Sequence, residues 1–87
     1  MLSRDVLKRH ASLVDRMSDA MGVDLQEAAL RGDVSVPEID DAVLTCTACS
    51  QPFACESWLA RRVGSVADAP PAYCRNTELF ARLAPKD

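Results

Sequence analysis

A chain of 87 residues with a net charge of −3 is one domain, near the lower size at which a single core is stable. Its apolar share of 48% is that of a globular chain and argues against disorder. An acidic balance without a basic stripe of interleaved aromatics disfavours nucleic-acid binding. No run is long and apolar enough to span a bilayer.

The charge is uneven. Residues 1–18 carry +2, residues 19–41 carry −6 and the remainder +1. Arg4, Asp5, Lys8, Arg9 and His10 interrupt any apolar run at the N-terminus, so no signal peptide is read there. The expected compartment is the cytoplasm, where thiols stay reduced and cysteine clusters bind metal more often than they pair.

In chain order, residues 3–21 read as an amphipathic helix, with Val6, His10, Leu13, Val14, Met17 and Met21 recurring at three- and four-residue steps. Ser3 caps its start and Gly22 ends it. His10 falls on the apolar stripe and is taken as a packed residue rather than a ligand. Asp24 with Glu27 has capping-box form and opens a short helix over 25–31, stopped at Gly32. Ser35, Pro37 and Glu38 open a third helix over 36–48. Its inward face holds Ile39, Val43 and Cys46, with Cys49 following on the same side. Ser50-Gln51-Pro52 breaks that helix.

A fourth helix is predicted over 54–63, with Cys55 in its first turn, Trp58, Leu59 and Val63 as its apolar side and Gly64 as its stop. Residues 65–71 form a loop stiffened by Pro70-Pro71. Asn76 is expected to cap a last helix over 77–83 that buries Leu79, Phe80 and Leu83. No stretch alternates with period two for long enough to be a strand. The expected fold is therefore all-α: one domain over 1–87, with an amphipathic helix in 1–22 and a cysteine-bearing part in 23–87, about five short helices in all.

The four cysteines Cys46, Cys49, Cys55 and Cys74 are the only ones, spaced C-x2-C-x5-C-x18-C. A zinc or iron–sulfur site needs thiolates from separate elements converging on one place. Here a helix end supplies two, a helix start one and a pre-helix loop the last. The helix N-termini near Cys55 and Cys74 are expected to favour the thiolate. Phe53, Trp58, Tyr73 and Phe80, the chain's four aromatics, stand near enough in sequence to shield such a site. Many structural zinc sites use two C-x2-C pairs; this chain has one pair, and Ser50 stands where zinc knuckles commonly carry glycine. The run Cys46–Cys55 resembles three of the four cluster ligands of helical DNA glycosylases of the endonuclease III type. Their fourth cysteine lies upstream and their catalytic residues have no counterpart here, so their activity is not carried over. A [4Fe–4S] cluster is favoured slightly over Zn²⁺, with Cys46, Cys49, Cys55 and Cys74 as ligands. A Cys55–Cys74 disulfide and inert buried thiols are the other readings.

The span from Gly22 to Leu83 also resembles a family of short bacterial domains of unknown function. The likeness lies in Met21-Gly22-Val23-Asp24-Leu25, Cys46-x-x-Cys49, Cys55-x-x-Trp58-Leu59 and Pro71-Ala72-Tyr73-Cys74-x-Asn76, with Phe80 and Leu83 beyond. That resemblance implies kinship and no activity. No catalytic set stands out: the one histidine is far in sequence from the thiols, and Asp40-Asp41 reads as a solvated helix face. Cys46-x-x-Cys49 sits at a helix C-terminus, where the dipole opposes the thiolate a redox catalyst needs. Arg61, Arg62 and Arg75 read as solvated. The expected function is a small metalloprotein with a four-cysteine site in redox or sensing work. The alternative is a helical interaction module, with a protein partner, in which metal or disulfides only staple the fold. An enzyme is a distant third.

Overall fold

The described residues form five helices: α1 (Arg4–Ala20), α2 (Leu25–Leu30), α3 (Val36–Thr47), α4 (Pro52–Ala60) and α5 (Thr77–Leu83). The computed structural model describes residues 3–67 and 69–84. Residues 1, 2, 68 and 85–87 fall outside that set, so the predicted loop over 65–71 is described except at one position. Among the described residues there is no strand. The all-α expectation holds.

Local chemistry starts and stops the first three helices as their sequences dictate. Ser3 accepts the amide of Val6 (3.1 Å), and Asp24 accepts that of Glu27 (3.1 Å). Ser35 and Glu38 form a complete capping box over Pro37 in the first turn. Gly22, at φ 73°, ends α1 in a Schellman motif: its amide reaches the Asp19 carbonyl, and the Val23 amide reaches that of Ser18 (2.8 Å). A side chain at Gly22 would be strained by that left-handed backbone.

Helix α1 is the spine. Leu13, Val14 and Met17 are almost wholly buried, and they pack with Met21, Val23, Cys55, Leu59 and Phe80 in one core cluster. Helix α1 lies against both α3 and α4. An Arg9–Glu56 ion pair (3.0 Å) ties it to α4 at the surface, and an Arg82–Glu38 pair (2.7 Å) ties α5 to α3. The Ala67 amide donates to the carbonyl of Ala20 (2.7 Å), which pins the 65–67 loop to the end of α1.

His10 is buried, with Nδ1 2.8 Å from the Val6 carbonyl one turn back, as a packed histidine should be. Val34 and Ala42 are buried without having been expected in the core. Ala42 lies on the face that Ile39, Val43 and Cys46 share, and those three are only half-buried.

Helix α4 departs from expectation at both ends. Pro52 opens it at the first helical position, where a missing N–H costs nothing; the proline starts this helix as well as ending the last. The helix stops at Ala60, and a turn closed by Gly64 follows. Val63 therefore leaves the helical stripe and is 85% exposed, where inward packing was expected.

Candidate metal centre

All four sulfurs reach one place. Cys46 comes from the last turn of α3, Cys49 from the turn after it, Cys55 from the start of α4, and Cys74 from the turn before α5. Together they line a small pocket whose other walls include Leu13, Val14 and Met17 of α1, Tyr73, Asn76 and Phe80. The walls are almost wholly carbon and sulfur. Residues 28 positions apart in the chain thus share one apolar site.

One of the sulfurs is held by a backbone amide. The Gln51 amide donates to Cys49 Sγ at 3.4 Å, from two residues further along the turn. The Cys74 turn is closed by the Cys74 amide on the Pro71 carbonyl (3.0 Å). Hydrogen bonds to sulfur orient metal-ligating thiolates and tune the groups they hold. The Cys49 S–H faces the Tyr73 carbonyl at 4.0 Å, a weak contact between the first pair and the last cysteine's loop.

The thiols are free, and no two are joined. Burial, followed by the nearness of Cys55, pushes Cys46 from 9.0 up to about 11. Burial, followed by Cys74 and Cys49, pushes Cys55 to about 11 against a small opposing pull from Arg16. Cys74 is raised by burial too, more than the Asn76 amide lowers it. The expectation that helix N-termini would favour the thiolate at Cys55 and Cys74 is corrected. Desolvation outweighs one helix end or one amide, because each sulfur sits among apolar side chains and other sulfurs. Thiols so raised are poor nucleophiles at neutral pH, which argues against disulfide-exchange catalysis.

Among the described residues, no group of three or more His, Cys, Asp or Glu side chains is arranged so that it could hold a metal ion. His10 is not part of the pocket's wall. Of the four aromatics, Tyr73 and Phe80 line the pocket. Phe53 is 70% exposed, its ring 5.0 Å from the Arg9 guanidinium, so it shields nothing. Trp58 is half-buried beneath Arg62, whose guanidinium lies 4.3 Å from the ring. Arg62 is therefore stacked where a solvated arginine was expected, while Arg61 and Arg75 are exposed.

Asn76 is where the sequence misled most usefully. It occupies the cap position of α5, yet its side chain makes no cap bond. It is buried and donates through Nδ2 to the Ala42 carbonyl at 2.9 Å. The sequence holds no signal for this, because Asn76 ahead of Thr77 reads as an ordinary cap and its burial depends on how near α3 comes.

Fold and site together define a small all-α domain built around a shared four-thiol pocket. The chain belongs to a family of unknown function (DUF6455), which matches residues 1–86. No curated protein and no solved structure matches it. No helix among the described residues is long and apolar enough to cross a membrane.

Proposed function

We propose that the protein is a metal-binding module in which Cys46, Cys49, Cys55 and Cys74 hold an iron–sulfur cluster for one-electron transfer or for sensing iron or oxygen. The observation that carries this reading is the gathering of all four sulfurs, from three separate segments, on one apolar pocket. Four chance thiols have no reason to meet, and burial raises the pKa values of Cys46, Cys55 and Cys74. The Gln51 amide on Cys49 supplies the kind of support that ligating thiolates receive.

The sequence spacing favours a cluster over a single ion. One C-x2-C pair with two separate cysteines departs from the two C-x2-C pairs of many structural zinc sites, and the C-x2-C-x5-C run is similar to three of the four cluster ligands of helical DNA glycosylases. When bound, the cluster would accept or give up a single electron. The chain's part is to hold it dry between α1, α3, α4 and the Cys74 turn.

The test is anaerobic reconstitution of the reduced protein with ferrous iron and sulfide. The wild-type chain should gain a stable brown chromophore, and Cys46→Ser should not. A wild-type chain that stays colourless overturns the reading.

A second reading is the interaction module, with zinc as a staple at the same thiols. It is favoured by Leu30 (82% exposed) and Val36 (63% exposed), large apolar side chains in the acidic stretch 19–41. Loss of helicity on chelation of a zinc-containing protein would support it.

A further inference from the structure

We infer that Asn76 is the positioning residue of the four-thiol site, linking the Cys74 turn to the Cys46 helix through the carbonyl of Ala42. Three observations meet at this residue. Its side chain is buried and donates to Ala42 at 2.9 Å, across 34 positions of sequence. It stands two residues after Cys74, in the same turn. The residue also lines the pocket that the sulfurs share.

The choice of acceptor matters. Within α3 the carbonyl of residue 42 is the one that takes the amide of Cys46 in the helical ladder. One oxygen therefore takes a bond from the backbone of Cys46 and a bond from the side chain of Asn76, two residues after Cys74. Ala42 is itself buried, so water competes weakly for that oxygen. The alternative role, capping α5, is ruled out by the absence of any side-chain cap bond. Without the amide of Asn76, the Arg82–Glu38 pair at the surface is the other polar tie between α5 and α3, and exposed pairs hold weakly.

The consequence for a bound metal rests on the metal-binding reading above; the placement of Cys74 does not. Both arms use the full chain, reduced and metal-free at the start. In the first, alkylation by iodoacetamide is followed at each cysteine by mass spectrometry. Asn76→Ala should raise the rate at Cys74 about five- to tenfold, the worth of one buried hydrogen bond. The rates at Cys46 and Cys55 should be unchanged and the far-ultraviolet circular dichroism retained. Equal acceleration at all three sites, or none at Cys74, would overturn the inference. Should Asn76→Ala not fold, Asn76→Ser keeps a donor of shorter reach and takes its place, with a smaller rise expected at Cys74 alone.

The second arm titrates Co²⁺ and follows its thiolate absorption. Asn76→Ala should weaken binding about 10- to 100-fold and give the spectrum of fewer thiolate ligands. Leu83→Ala, a half-buried change on the same helix, should lower stability without altering that spectrum. An Asn76→Ala spectrum and affinity equal to wild type would count against the inference. A wild-type chain that takes up no Co²⁺ would rule out a single-ion site at these thiols, leaving the alkylation result to decide the role of Asn76.

Discussion

The apolar end and the thiol end of the core meet at one pocket and are held by different means. At the apolar end, Leu13, Val14, Met17 and Phe80 are each 3% exposed or less and form the carbon wall of that pocket. At the thiol end, three of the four cysteines are only half-buried, and the supports are single polar bonds: Gln51 to Cys49 and Asn76 to Ala42. Hydrophobic packing is non-directional and tolerates many arrangements, whereas hydrogen bonds fix where a particular atom stands. One end thus sets stability, and the other sets the placement of four sulfurs.

The largest expected effect breaks the apolar end. Phe80→Ala should cost about 3–5 kcal/mol, a large share of what a small domain has, measured as a lowered urea midpoint. A loss under about 1 kcal/mol would mean that the two ends do not differ in this way. Next is Cys55→Ser, which places a hydroxyl among apolar neighbours. In the metal-free chain it should cost about 1–3 kcal/mol, less than Phe80→Ala, by the same denaturation.

Alkali sharpens the contrast further. Cys46 and Cys55 carry raised folded-state values, so the unfolded chain loses its thiol protons first as pH climbs. Their contribution is complete below pH 9.0 and is lost between 9.0 and about 11. The metal-free protein should become steadily less stable over that window, and a Cys46→Ala, Cys55→Ala double variant should show a shallower decline. Equal slopes would mean the buried thiols are not the cause. Smallest of all is Arg9→Ala, which removes an exposed ion pair with Glu56 and a contact with an exposed Phe53 ring. It should change the midpoint by no more than about 1 kcal/mol.

The helices were legible because their signals are local. Ser3, Asp24 and Ser35 cap where their side chains reach the next turn, and the glycines at 22 and 32 end helices through backbone freedom that no other residue shares. The stripe of α1 was legible because one long helix repeats its period enough times to be read. What could not be read depends on distance across the chain. Whether Asn76 caps its own helix or crosses to Ala42 depends on how near α3 comes, and no local pattern contains that. The same holds for the thiol pKa values: proximity to a helix N-terminus is visible in sequence, but the burial that outweighs it is not. Val63 and Phe53 failed for a simpler reason. The fourth helix runs over Pro52–Ala60 where 54–63 was expected, so its early stop carries Val63 off the helical stripe and its early start puts Phe53 in an exposed first turn.

The central claim is that the four sulfurs are gathered to hold a metal group. The most direct measurement is metal and acid-labile sulfide analysis, with a visible spectrum, on protein isolated anaerobically without added metal. The account predicts broad visible absorbance with about four irons and four sulfides per chain, as a cubane cluster requires. Colourless, well-folded protein with four titratable thiols and no bound metal would contradict it.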